Sequence, residues 1–358
     1  MKKVTRDLEV AISTLRIFKN RLLKRRSILF LGVPTYGNIG DIAIALATES
    51  MIRKSTKKHE LIVINDSVSV TAAKFLRHFV SPNDCIVFQG GGNMGNMYKT
   101  IETERESVFL YFKNLKLLKI QFPSSINFEN VSDTNSARLA SIFTDVEIFA
   151  RETISFDSAK KLNLGTVHLS PDIVFSLADS ALISGSGENK RRKRSLKKVL
   201  VIRRNDEEKL ENTAFDKLIN AVRNDASLTI NYTDTVIDVP SLSIRTDRKR
   251  EKLLERKISE IKNADVVLTD RLHGMILSLI SGIPVVAFDN STHKIRSTCQ
   301  HWLSGNQNLF FCNSVKTINL SQLKTWYSGT DGYPPNLNDY FDDLRNLISD
   351  GNEAHETK

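Results

Sequence analysis

Arg271 and His273 stand two residues apart, after an apolar run at 265–269 and before a helical pattern, with Gly274 next in line. In a strand-to-helix turn both side chains can reach one ligand, and Gly274 leaves room for it. A histidine near its ordinary pKa of about 6.5 gives or takes a proton at neutral pH, and an arginine offers a fixed fork to carboxylate or phosphate. A purely local reading competes, in which His273 caps the helix and Arg271 pairs with Asp270. Two more basic pairs follow apolar runs of the same half: Arg203 and Arg204 after 199–202, and His293 and Lys294 after 284–288. In a parallel sheet the carboxyl ends of the strands share one edge, so one of these arginines, Arg271, His273 and Lys294 should converge on a small, strongly anionic ligand. Adjacent positions of an extended chain point to opposite sides, so at most one of Arg203 and Arg204 faces it.

The first half carries the complementary loops. After a run at 28–33, Gly37, Asn38, Ile39, Gly40 and Asp41 lead into a helical pattern. A glycine-bounded entry to a helix leaves N–H groups directed at an anion or at sugar hydroxyls. Asp41 is then either a helix cap, which aspartate favours, or a base at the site. After a run at 85–89 come Gly90, Gly91, Gly92, Asn93, Met94 and Gly95. Three successive glycines at the end of a buried strand permit close approach of backbone to ligand. Their spacing is not the dinucleotide-binding G-x-G-x-x-G, and no acidic residue follows a second strand at the usual distance, which disfavours a nicotinamide cofactor.

The elements that must position these residues follow an α/β rhythm. Apolar runs at 28–33, 61–64, 85–89, 117–121 and 147–150, then 199–202, 228–232, 265–269 and 284–288, read as buried strands. Helical patterns at 42–53, 215–224, 250–263 and 275–281 fall between them. Two Rossmann-like domains with an interdomain cleft are the economical reading, since 358 residues suffice for two cores. The expected organisation is a basic amphipathic N-terminal helix over 1–26, an acceptor-side domain over 27–183 and a linker over 184–198. A donor-side domain over 199–330 follows, and then a C-terminal helix and tail over 331–358, whose helix at 338–349 could cross back onto the first domain.

The formal charge of +10 is local. Residues 1–26 hold nine basic and two acidic side chains, and 189–198 hold seven basic ones. The remainder is slightly acidic, which argues against a nucleic-acid platform. Val4, Leu8, Ile12, Leu15, Phe18 and Leu22 recur at helical spacing, with Arg16, Lys19, Arg21, Lys24, Arg25 and Arg26 clustered toward the end. Such a helix lies on an anionic membrane surface, or it packs on its own domain with a solvated basic face; both readings are open. Cys85, Cys299 and Cys312 are odd in number and far apart, giving neither a disulfide framework nor a zinc site, and no clustered acidic site for a metal is visible. The expectation is a cytoplasmic protein without a membrane span.

With these residues in hand, the chain resembles the polysaccharide pyruvyl transferase family, especially bacterial exopolysaccharide members. The matching pieces are Asn38 to Asp41, Gln89 to Gly95, Gln121 to Pro123, Ala150 to Glu152, Pro171 with Asp172, Thr269 to Met275, Gly282 to Pro284, and His293 with Lys294. The resemblance implies a GT-B-like fold in which the second domain binds phosphoenolpyruvate and the first the sugar acceptor, with Arg204, Arg271, Leu272 and His273 holding the donor. Gly274, His293 and Lys294 complete the expected donor side; Asn38, Gly40, Gly90, Gly91, Gly92 and Asn93 form the expected acceptor side. The chemistry so implied has His273 protonating the methylene carbon of phosphoenolpyruvate and Asp41 as base toward a glycan or lipid-linked acceptor, with no metal or cofactor. Asn96 stands where family members often carry aspartate, which leaves Asp41 as the carboxylate of the site. Two rivals share the pattern: a GT-B glycosyltransferase using a nucleotide sugar, and a non-catalytic glycan-binding protein.

Overall fold

The computed structural model describes residues 2–56, 59–128, 130–184, 195–204, 212–313 and 315–350. Most of the basic stretch expected to link the domains, from 185 to 194, lies outside the described residues.

Two parallel sheets organise the chain. The first half supplies β1 (Arg26–Val33), β2 (His59–Asn65), β3 (Cys85–Phe88), β4 (Gly91–Gly95), β5 (Leu118–Asn127), β6 (Glu147–Ala150) and β7 (Thr166–Leu169). Their order is β2-β1-β3-β5-β6-β7, with β4 paired to β5 beside that path. The helices of this half are α1 (Lys2–Leu22), α2 (Ile39–Ser55), α3 (Asp66–Leu76), α4 (Lys99–Phe112), α5 (Asp133–Phe143), α6 (Thr153–Lys161) and α7 (Ala181–Ser184). The second half supplies β8 (Lys198–Ile202), β9 (Thr229–Thr233), β10 (Val266–Thr269), β11 (Val285–Phe288) and β12 (Leu309–Cys312), in the order β12-β11-β10-β8-β9. With them come α8 (Thr213–Arg223), α9 (Asp247–Lys262), α10 (Leu272–Ile280), α11 (Lys294–His301), α12 (Leu320–Ser328) and α13 (Asp342–Asp350). The central strands are apolar runs rather than alternating ones because both faces of a parallel sheet are covered by helices. Each half is thus a Rossmann-like α/β unit, and together they have a GT-B-like arrangement.

The halves are fused behind the cleft. The sequence of α2 is apolar on every side, and nearly all of it is buried, because α9 and α13 cover the faces its own sheet does not. One hydrophobic cluster therefore runs from Phe30 and Ile42 through Leu254 and Ile276 to Phe341 and Leu344. Glu49 of α2 meets Arg250 of α9 at 2.9 Å inside this layer. Helix α13 does return to the first half, as its apolar pattern allowed.

The N-terminal helix packs differently from the stripe read in the sequence. Val10, Ser13, Ile17 and Asn20 are its buried face, laid against α3 and the β1–β2 edge. Glu9 accepts hydrogen bonds from the backbone N–H and side chain of Asn65, and Asn20 donates to Ser27 Oγ at 2.9 Å. These polar anchors turn Leu8, Ile12, Leu15, Phe18 and Leu22 outward. Among the described residues no helix is long and apolar enough to cross a membrane.

Candidate active site

The carboxyl ends of β1, β6, β8, β10 and β11 point their loops into one cavity of about 830 Å³ between the halves. A short zipper closes one wall: Ile39 N–H donates to Thr235 O at 2.8 Å and Ile237 N–H to Gly37 O at 2.7 Å. The loop after β1 is thereby held against the loop after β9, with Asn38 and Val236 bridged antiparallel. Gly37 is required here, because a Cβ would lie 1.9 Å from Ile237 O.

His273, in the first turn of α10, crosses to the other half and rests on Gly40. A Cβ on Gly40 would stand 2.2 Å from His273 Nδ1, so glycine at 40 makes the approach of the ring possible. His273 Nε2 has no hydrogen-bond partner and faces Asp172 Oδ2 at 3.4 Å. Asp172 is fully buried and also accepts from Arg151 Nη1 at 2.7 Å and from Val174 N–H at 3.0 Å. Burial alone would raise the pKa of Asp172, but Arg151, His273 and the hydrogen bonds outweigh it and hold the carboxyl well below the usual range. An ionised carboxylate therefore stands behind the imidazole, the counter-ion that its protonated form requires.

Arg151, just beyond β6, is wholly buried yet lines the cavity. Its Nε donates to Ser125 Oγ at 2.9 Å and lies 3.4 Å from Glu152 Oε2. Gly92 lets this guanidinium and an ammonium come together: a Cβ there would be 3.0 Å from Arg151 Nη2 and 3.1 Å from Lys294 Nζ. Desolvation works against the charge of Arg151, but Asp172 and Glu152 more than offset it and raise its pKa.

Asp41 is not the cap of α2. That place belongs to Asn38, whose Oδ1 accepts the Gly40 N–H at 2.9 Å. Asp41 instead points into the cavity, where Tyr36 donates its hydroxyl to Oδ2 at 3.0 Å. Burial raises the pKa of Asp41 above the ordinary carboxylate value, with His273, the Tyr36 hydrogen bond, Arg151 and Lys294 pulling partly the other way. Burial, and then the charge of Asp41, push the Tyr36 hydroxyl well above its usual pKa, so it stays a donor.

Other residues singled out by sequence take different parts. Arg204 is buried and lines the cavity, while its neighbour Arg203 turns out to Asp216 at 2.6 Å and over the Phe215 ring. Arg271 lines the cavity too, but its guanidinium forms a bidentate pair with Asp234, both contacts at 2.7 Å. Its partner is thus Asp234 rather than Asp270, which accepts the Arg204 N–H at 2.8 Å. Arg271 thus reaches the cavity wall already paired to a carboxylate of its own chain. Leu272 is part of the cavity wall. Gly274 does not open space for a ligand; a Cβ there would lie 2.7 Å from Thr269 Oγ1, so the residue lets α10 pack on β10.

The glycine run also differs from the open loop expected. Residues 91–95 form β4, and a Cβ on Gly90 would lie 2.5 Å from Pro123 O and one on Gly95 1.8 Å from Asn127 O. Those two glycines serve close approach to β5, Gly91 has φ +125° beside Asp41, and Gly92 opens to the cavity. Beneath them the buried Arg105 bonds Gln121 Oε1 at 3.0 Å and Asn93 Oδ1 at 2.5 Å, and pairs with Glu102, fixing the strand. Asn93 lines the cavity, whereas Asn96 is exposed beyond β4 and does not. His293, with φ +55°, bonds Asp289 at 2.8 Å and faces a second cavity of about 220 Å³ that joins the first along Gly92 and Lys294.

The model of one protein family, described as polysaccharide pyruvyl transferase, matches residues 38–292 of this chain, from the Asn38 cap to the loop before Lys294. The chain belongs to the polysaccharide pyruvyl transferase family. General stress protein 30 of Bacillus subtilis (strain 168) is 30% identical over 329 residues, covering 90% of this chain and 91% of that protein. Pyruvyl transferase 1 of Schizosaccharomyces pombe is 26% identical over 302 residues, covering 80% and 72%. In fold, this pyruvyl transferase family member is similar to S. aureus MnaA, solved with UDP, with a TM-score of 0.53 at 12% identity over 91% of this chain and 96% of that one. Arg151 and Asp172 fall within the matched span. Both stood in short pieces of the family resemblance without a role of their own, because their pairing at 2.7 Å joins positions 21 residues apart.

Proposed function

We propose that this transferase moves the pyruvyl group of phosphoenolpyruvate onto two hydroxyls of a sugar in a polysaccharide or its precursor, forming a ketal and releasing phosphate. The observation that carries the reading is His273 resting on Gly40, its Nε2 3.4 Å from Asp172 Oδ2, amid Arg151, Arg204, Lys294 and Asp41. Such a site suits a ligand with a carboxylate, a phosphate and a carbon that needs a proton. The imidazolium of His273 protonates the methylene carbon, and positive character develops at the carbon bearing the phosphate. A sugar hydroxyl attacks that carbon and gives its proton to Asp41, hydrogen-bonded to Tyr36. The neighbouring hydroxyl then displaces phosphate, and its proton leaves with the phosphate. Asp41 returns its proton to His273, so the two protons lost by the diol end on the new methyl group and on inorganic phosphate. Arg151, Arg204 and Lys294 stabilise the charge of the departing phosphate, a contribution greatest in the transition state.

The Arg271–Asp234 pair acts in this scheme as a rigid wall that orients the donor carboxylate, with Leu272 beside it. The acceptor enters through the second cavity, where Tyr98 and Met97 offer apolar faces and Asn127, Ser125 and His293 offer hydrogen bonds, a mixture suited to a sugar ring. The scheme calls for no metal and no cofactor. Ligand linkage tests it: phosphoenolpyruvate should raise the melting temperature, and UDP-N-acetylglucosamine should not. Stabilisation by the nucleotide sugar alone would replace this reading with glycosyl transfer, and stabilisation by neither would remove the donor assignment.

A further inference from the structure

The outward side of α1 is an apolar seam that none of the described residues covers. Leu8, Leu15 and Leu22 are 57%, 68% and 86% exposed, and Ile12 and Phe18 are 48% and 43% exposed. The exposure is built in, since the opposite face of the same helix is already anchored through Val10, Ile17 and Asn20. The seam continues past the helix: Phe18 meets Phe79 edge-on at 5.4 Å, Phe79 meets Phe75 at 5.1 Å, and Phe75 and Leu23 are about half exposed. Contiguous apolar side chains of this extent on a protein surface mark a docking face.

Charge identifies the occupant. Lys19, Arg21, Lys24 and Arg25 are exposed at the lower end of the seam, and Lys74 is exposed on α3. Glu9, one of the two acidic residues of the segment, is turned inward onto Asn65, leaving Asp7 as the exposed acid among the described residues of α1. The 3.5-residue spacing of Leu8, Ala11, Leu15, Phe18 and Leu22 is also that of a coiled-coil seam, so a second copy of this chain is the competing occupant. Two copies, however, would bring like charges together, whereas an anionic bilayer supplies the opposite sign along the whole rim while its acyl region takes the leucines and phenylalanines.

We infer that α1 and the end of α3 seat the protein in the plane of an anionic lipid surface. This inference stands independently of the reaction assigned above. The test is co-sedimentation of the full chain with vesicles of phosphatidylcholine, alone or mixed with phosphatidylglycerol. Binding should occur to the mixed vesicles, be weak to the neutral ones and fall with added salt. Leu15→Glu should abolish it, and the joint change of Lys19, Lys24 and Arg25 to Gln should weaken it about 100-fold, at about fivefold per charge. These side chains are exposed, so the melting temperature of each variant should match the parent. No sedimentation with mixed vesicles, equal binding to both kinds, or full binding by either variant overturns the inference. A concentration-dependent dimer that Leu15→Glu dissolves would assign the face to a second copy instead.

Discussion

Replacing Gly40 with alanine separates the position of His273 from the stability of the fold. Gly40 lies in the first turn of α2, and alanine is the better helix former by about 1 kcal/mol, so backbone propensity alone favours the variant. The added methyl carbon would sit 2.2 Å from His273 Nδ1 and 2.6 Å from Cγ, whereas ordinary contact begins at 3.4 Å. The ring must therefore retreat by about 1.2 Å, away from the loop of Asp41. The obstacle is His273 itself, with its Cβ also at 3.0 Å, so the ring must swing and the turn carrying it give by a few tenths of an ångström, a shift the fold should survive. A reacting group displaced by about 1 Å commonly loses about 100-fold in rate. Phosphate release from phosphoenolpyruvate in the presence of acceptor, followed alongside thermal unfolding, reads both effects. The expected result is a fall in kcat of about 100-fold with a melting temperature within a few degrees of the parent. Unchanged turnover would refute the idea that the seat of His273 on Gly40 sets its chemistry.

Other perturbations have defined signs. Asp41→Asn should abolish the acid limb of the pH–rate profile: a base with a raised pKa loses activity as pH falls through that value, so the limb of the parent should lie above the ordinary carboxylate range. Asp172→Asn takes from the buried Arg151 its carboxylate partner at 2.7 Å, and should lower unfolding stability by roughly 3–5 kcal/mol, measured by urea denaturation. Glu104 is pushed up to about 8 by burial and then by neighbouring Asp66, while its unfolded value is near 4.5. Its folded form therefore keeps a proton that the unfolded form loses, and stability falls by roughly 1.4 kcal/mol per pH unit as pH rises between those values. Glu104→Gln should remove that decline, seen as a melting temperature that holds up better than the parent's from pH 5 to 8.

Much of the framework was legible because burial on both sides of a parallel sheet leaves an unmistakable apolar run. The strands ending before Arg204, Arg271, Asp289 and Arg151 were found that way, and parallel topology alone places their ends on one edge. Strand β4 was not legible: Gly91, Gly92 and Gly95 read as a loop for close approach to a ligand, whereas they lie in a strand paired with β5, which at Gly95 passes too close to allow a side chain. Strand β7 was too mixed in composition to stand out, and β12, although apolar, was not read as a strand. At the site, alternation allowed only one of Arg203 and Arg204 to face the cavity and the family resemblance pointed to Arg204, but no local pattern could reveal that Arg271 would meet Asp234, 37 residues away. Nor could spacing show that Gly40 is shaped around a histidine of the other half, since that contact exists only once both sheets are assembled. The N-terminal helix misled because two faces are apolar or neutral, and Glu9 and Asn20, ordinary polar residues in sequence, decide which one turns inward.

The most direct test of the account is the mass of a defined galactose- or mannose-type acceptor after incubation with phosphoenolpyruvate and either the parent protein or His273→Ala. The account predicts that the parent adds one pyruvylidene unit to each acceptor for each phosphate released, and that His273→Ala forms almost none while still melting as a folded protein. Ketal formation by His273→Ala at the parent's rate, or phosphate release without any change in acceptor mass, would contradict it.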